Sequence, residues 1–231
     1  MADLSHLKYW IFDLDNTLYR GDAGFFAQID KKITEYVSRY LALQPVRARE
    51  VQKEYLIDYG TTLSGLMAVH GMDPTEFLDF VHDVNLDSLK PNPTLKQALV
   101  DLPGRKFIFT NGSRGHAKNV ATHLGLWDLF DGSFGVDDVD YIPKPLRSPY
   151  VKLCDHFGID PQKAAMFEDS VRNLEAPKSM GMKTVLIVPD RAKPYNMDVS
   201  SLDGTVKRAD WIDHITDDLA GWLQSYLVAQ S

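Results

Sequence analysis

The run Tyr9-Trp10-Ile11-Phe12, stopped by Asp13-Leu14-Asp15, constrains this chain more than any other feature. Four large apolar residues in succession do not suit a strand with one wet face. They suit a strand covered on both faces, as in parallel sheets flanked by helices. Further short apolar runs follow, and strands are predicted at 9–14, 106–110, 132–136, 164–167 and 183–188. Helical stretches lie between the last four, at 116–124, 149–156 and 171–180, and another helix is expected at 211–227. Strands alternating with helices predict an α/β fold, a doubly wound parallel sheet with a Rossmann-like core.

Between the first two strands the pattern changes. From about 25 to 84 there is helical periodicity and no good strand. Ile29, Ile33, Tyr36, Val37 and Tyr40 form one stripe; Val51, Tyr55 and Tyr59 another; Leu63, Leu66 and Met67 a third; Phe77, Phe80 and Val81 a fourth. This predicts an inserted α-helical cap at 19–91, with 1–18 and 92–231 forming the core. Asp73-Pro74 and Asp160-Pro161 read as helix starts, Asp capping and Pro opening the first turn. Lys90-Pro91-Asn92-Pro93 reads as the extended return linker.

The net charge of −7 argues against binding nucleic acid or an anionic membrane through bulk charge. An anionic substrate would have to be met by a local positive site. One cysteine, Cys154, excludes an internal disulfide, and beside Asp155 and His156 it reads as an inert helix residue. The apolar run that ends at Asp13 is too short for an export signal or a membrane span, so a cytoplasmic protein is expected, monomer or homodimer.

Chemistry gathers at the strand ends, where open α/β sheets bind their ligands. Asp13 and Asp15 follow the first strand; two apart on extended backbone, they would face one way and suit a hard divalent cation. Thr110-Asn111-Gly112-Ser113 follows the second and precedes a helix, so its hydroxyl and N–H groups read either as a phosphate cradle or as a helix cap. Lys144, in Pro143-Lys144-Pro145, follows the third. Glu168-Asp169, with Asn173, follows the fourth. Each has an ordinary reading alone. Together they would crowd four acids against one lysine on one sheet edge, and a cation plus a phosphate resolves that imbalance.

This ordered set resembles the motifs of the haloacid dehalogenase superfamily, in its phosphatase branch. Within it, segments 12–19, 59–66 and 89–91, and Thr110-Asn111-Gly112-Ser113 with His116-Ala117, resemble the pyrimidine 5′-nucleotidase family. The resemblance implies a Mg²⁺-dependent hydrolysis of a small phosphate monoester through an aspartyl-phosphate. Asp13 would be the nucleophile and Asp15 the acid and base; Thr110 and the Asn111 amide, beside Gly112, would hold phosphate oxygens; Lys144 would offset charge. Asp13, the Asp15 carbonyl and Asp169 would hold the metal, with Glu168 near its waters. Asp15 would stay protonated while Asp13 is ionised. Tyr19, Tyr59, Thr62 and Leu66 would lie near a nucleoside such as UMP or CMP, and His116 near the phosphate. A sugar phosphate or phosphoglycolate is the alternative substrate. A dehalogenase, which would lack an acid at Asp15, and a phospho-accepting signalling domain are further alternatives.

Overall fold

In a computed structural model the described residues form a six-stranded parallel sheet between layers of helices, with a four-helix insert over one end. The structure describes residues 4–20, 23–188 and 209–229. The sheet runs β3-β2-β1-β4-β5-β6, built from β1 (Tyr9–Phe12), β2 (Arg105–Phe109), β3 (Gly132–Phe134), β4 (Ala164–Glu168), β5 (Lys183–Ile187) and β6 (His214–Thr216). The order reverses between β1 and β4, which opens a crevice at their carboxyl ends.

Alternate residues explain why the sheet is covered twice. Trp10, Phe12, Ile108 and Phe167 pack into one hydrophobic cluster with α5 (Pro93–Asp101), α6 (Arg114–His123) and α9 (Leu219–Val228). Ile11, Phe107, Phe109 and Met166 pack into the other, with α7 (Arg147–Phe157) and α8 (Glu175–Ser179). Trp10, Ile11 and Phe12 have no exposed surface. Burying side chains of that size stabilises by ~1.5–3 kcal/mol each, so β1 anchors both halves of the core.

The insert consists of α1 (Ala23–Tyr40), α2 (Pro45–Tyr59), α3 (Thr62–His70) and α4 (Pro74–His82). Its stripes turn inward as the periodicity requires: Tyr36, Val37, Val51, Leu63, Leu66, Phe77 and Val81 are buried. Asp73 caps α4 by accepting the Thr75 N–H, and Asp160 accepts that of Gln162 before a short 3₁₀ turn. Gly60 ends α2 at a φ of 82°, a left-handed conformation that glycine adopts without strain.

Three expectations need correction. The segment at 211–227 is not one helix: it supplies the edge strand β6 and then α9, because Asp213 bonds the backbone and hydroxyl of Thr184 and Asp218 caps a new helix at Gly221. The linker does not stay extended to its last proline. Asn92 accepts the Leu95 N–H and Pro93 opens α5, which buries Leu95 and Leu99. The first strand ends at Phe12, not at 14, since Leu14 begins a tight turn that accepts the Thr17 and Leu18 N–H groups. The expected core and cap ranges include 189–208, which lie outside the described residues.

Candidate active site

Sheet register builds the site. β1 and β4 pair in parallel with Phe12 opposite Phe167, so Asp13 emerges beside Glu168, and Asp13 N–H continues the ladder to Phe167 O. Lys144 reaches in from the loop after β3 and is 2% exposed. Its ammonium donates to Asp13 Oδ1 at 2.7 Å, Glu168 Oε2 at 2.6 Å and Phe109 O at 3.0 Å. All three of its hydrogens are thereby used. The loop carrying Lys144 is held by Asn111, whose side chain donates to Lys144 O and accepts from Lys144 N–H. Glu168 is held at its other oxygen by Asn173 and the Ser170 N–H. Asp169 accepts from Asn16, which sits at a φ of 61° in the turn after Asp13.

Asp15 faces a different set of partners. The backbone turns at Leu14, so the carboxylates of Asp13 and Asp15 do not line up as an extended chain would place them. Asp15 Oδ1 accepts from the Tyr19 hydroxyl and lies 3.1 Å from Nε2 of His116, a buried residue of α6. The cradle is also a cap. Thr110 Oγ1 accepts the Gly112 N–H, and Ser113 Oγ accepts that of His116 to begin α6.

The model for haloacid dehalogenase-like hydrolases matches residues 7–181, which takes in the ends of β1 to β4 and Lys144. The chain belongs to that family. The haloacid dehalogenase-like fold is also seen in a HAD phosphatase from Thermococcus onnurineus, at a TM-score of 0.58 and 21% identity, covering 96% of this chain and 98% of that one. The L-2-haloacid dehalogenase of Xanthobacter autotrophicus matches at a TM-score of 0.57 and 18% identity, covering 97% and 99%. In sequence the chain is 27% identical over 195 residues to Phosphate metabolism protein 8 of Saccharomyces cerevisiae, covering 78% of this chain and 61% of that protein. A fructose-1-phosphate phosphatase of Escherichia coli is 28% identical over 112 residues, 48% of this chain and 58% of the relative. The chain thus spans about three fifths of the length of these two relatives.

The pair's proton order in this hydrolase differs from the expected one. Burial, then the neighbouring Glu168, pushes Asp13 up to about 8 despite Lys144. Burial also works to raise Asp15, but His116 and the Tyr19 hydroxyl outweigh it and hold Asp15 below the usual carboxylate range. Without a cation, Asp13 therefore holds a proton more readily than Asp15. Burial raises Glu168 to about 7 and Asp169 to about 6.

Ligand oxygens of Asp13, Glu168 and Asp169 lie within 4.8 Å of one another. Two buried acids that share one buried lysine stand beside the half-buried Asp169, and all three are held above their normal values. Such an oxygen-only set fits a hard divalent cation, which would remove the repulsion. A stability consequence follows. A carboxylate whose folded pKa is raised stabilises fully below its unfolded pKa of ~4 and loses that contribution as pH rises through the folded value. His82, depressed to about 3 by burial and then by His116, works in the opposite direction below its unfolded value. Lys144, raised by its two acid partners, changes nothing until alkaline pH. Chelator-treated protein should therefore lose thermal stability as pH rises from about 4 to about 8, and added Mg²⁺ should raise the midpoint most at the alkaline end. Scanning calorimetry with and without Mg²⁺ checks this; a larger Mg²⁺ effect at pH 6.5 would contradict it.

The residues expected near a nucleoside separate into three groups. Tyr19 is at the centre, bonded to Asp15. Leu66 has no exposed surface and joins Tyr36 and Phe77 in a hydrophobic cluster, while Thr62 donates its hydroxyl to Gln52 O; both serve the packing of the cap, as their apolar stripe and helix start require. Tyr59 is half exposed, edge-on to Tyr55, and its neighbour Gly60 stands over Pro143 beside Lys144. Cys154 is buried and pushed up to about 12, which keeps the thiol unreactive. Sequence reasoning missed the pinning role of the Asn111 side chain, the hold of Asn16 on Asp169, and His82. No helix among the described residues is long and apolar enough to cross a membrane.

Proposed function

We propose that this hydrolase is a phosphatase, and that it acts on pyrimidine nucleoside 5′-monophosphates with Mg²⁺, through an aspartyl-phosphate on Asp13. The observation that carries the reaction is the Lys144 ammonium bridging Asp13 and Glu168 beside Asp169. Asp13, Asp169 and the Asp15 carbonyl would hold the ion, with Glu168 behind them. Bound Mg²⁺ supplies charge neutralisation at the phosphoryl oxygens and favours the ionised form of Asp13.

The chain's own groups do the rest. An Asp13 oxygen attacks phosphorus and the ester P–O bond breaks. Asp15 gives its proton to the leaving alkoxide, then takes one from the water that opens the acyl-phosphate. A phosphate dianion entering beside Asp15 opposes its charge, which raises its pKa and supplies the protonated form that the free enzyme lacks. Thr110 and the Asn111 N–H hold phosphoryl oxygens, and Lys144 lets carboxylate and dianion approach. Asp15 is also what speaks for attack on phosphorus rather than carbon.

For the substrate, support comes from the cap segments 59–66 and 89–91 that resemble the nucleotidases, and from the Tyr59–Gly60 turn standing over Pro143. Thr62 and Leu66 act through cap packing rather than contact. We read the core as 1–18 with 92–231 and the cap as 19–91, with the first boundary between β1 and α1 and the second just before α5. The decisive measurement is a screen of phosphate monoesters with Mg²⁺. UMP and CMP should exceed sugar phosphates in kcat/KM by about tenfold or more, the scale of a few lost pocket contacts. A sugar phosphate or phosphoglycolate at the top would replace the nucleotide reading, and would accord with the fructose-1-phosphate phosphatase among its relatives.

A further inference from the structure

The last turn of α4 brings a second imidazole to the cradle. His82 lies parallel over His116, ring centroids 4.2 Å apart and planes 17° apart. Its Nδ1 is 3.1 Å from Ser113 Oγ. That oxygen accepts the His116 backbone N–H and can still give its own hydrogen to His82. In that arrangement Nδ1 is the acceptor and the ring hydrogen stands on Nε2, the tautomer that an anion at the cradle would favour. Nε2 makes no hydrogen bond among the described residues. Its position is fixed by a glycine: a Cβ on Gly112 would lie 3.3 Å from Thr110 Oγ1 and 3.6 Å from His82 Nε2. A neutral N–H donor without an acceptor therefore borders the turn whose hydroxyl and amides face the phosphate. Helix packing alone accounts for the stacked rings. It leaves Nε2 with no protein acceptor among the described residues, 3.6 Å from where a Cβ on Gly112 would stand, and so available to a ligand of the cradle.

We infer that His82 is a substrate-contacting residue delivered by the cap, its Nε2–H donating to a non-bridging phosphoryl oxygen on the Thr110 side. This rests on the reading of Thr110 and Asn111 as the phosphate cradle. The cap then acts at two places. Its helix α4 meets the phosphoryl group itself, while the turn after α2 stands where a leaving group would differ between substrates. The closed position of the cap is thus favoured by phosphate of any ester.

Two variants test it in the Mg²⁺-loaded enzyme, with p-nitrophenyl phosphate as substrate and orthovanadate as inhibitor. His82→Asn keeps an amide where Nδ1 meets Ser113 and lacks the Nε2 donor. His82→Gln places an amide N–H near Nε2. His82→Asn should lower kcat/KM by about ten- to one-hundredfold and weaken vanadate inhibition by a similar factor, the scale of one hydrogen bond to a charged group. His82→Gln should recover most of both. His82→Asn within twofold of wild type overturns the inference, as does equal impairment of both variants with vanadate inhibition unchanged. Wild-type enzyme that turns over no phosphate monoester overturns the cradle reading, and the inference with it.

Discussion

Asp13→Asn should lower kcat by a factor on the order of 10⁴ or more, because removing a covalent nucleophile leaves only binding and electrostatics. The protein should stay folded. Asn at this position still accepts from Lys144, which donates to Asp13 Oδ1 at 2.7 Å, and it removes one charge from the set with Glu168 and Asp169. Asp13 is the most strongly raised of the three acids, at about 8, so the variant loses the repulsion that builds up at alkaline pH. The metal-free variant should therefore melt no lower than wild type at pH 8, and Mg²⁺ should raise its midpoint less. Steady-state kinetics and calorimetry on the same preparation read both effects. A kcat within tenfold of wild type would remove Asp13 from the role of nucleophile.

Lys144→Met should show the opposite balance, a large loss of stability together with a loss of rate. The ammonium is the buried counter-charge that touches Asp13 and Glu168, and its side chain is 1% exposed. Breaking a buried pair by removing one partner costs about 3–5 kcal/mol, since the remaining charges stay in a poor solvent. The acids can escape by taking protons, so the deficit should shrink toward pH 6 and grow toward pH 8. Mg²⁺ should restore part of it by supplying positive charge. Loss of the group that lets two anions meet should lower kcat/KM by about 10²–10³. Urea unfolding at both pH values, with and without Mg²⁺, separates these contributions. A deficit larger at pH 6 than at pH 8 would refute the counter-charge account.

Much of the fold was legible because burial on both faces leaves a plain mark. A strand such as 9–12 has no polar position to spare, and its neighbours carry similar runs. The cap was legible for a related reason, since Ile29, Tyr36 and Val37 repeat at the helical period that one buried stripe requires. β6 was not legible. His214, Ile215 and Thr216 form a three-residue edge strand whose place depends on Asp213 bonding Thr184, a contact 29 residues away in sequence. Short edge elements are decided by such partners more than by local preference.

In the site the division is similar. Asp13, Lys144, Glu168 and Asp169 stand together where their order at successive strand ends placed them. The proton order of Asp13 and Asp15 did not follow from their spacing. It came from His116, 101 residues from Asp15 in sequence, and from a turn that aims the Tyr19 hydroxyl at the same oxygen. Thr62 and Leu66 matched a family segment, yet packing claimed both.

By itself, then, the chain determined which chemical groups stand at the edge of the sheet, because strand periodicity and parallel order are local and repetitive properties. Only the tertiary structure decided which acid holds its proton, which cap residues face inward, and that His82 meets His116 across the cap–core boundary. Those outcomes depend on desolvation and on contacts between residues far apart in the chain, and neither leaves a period in the sequence.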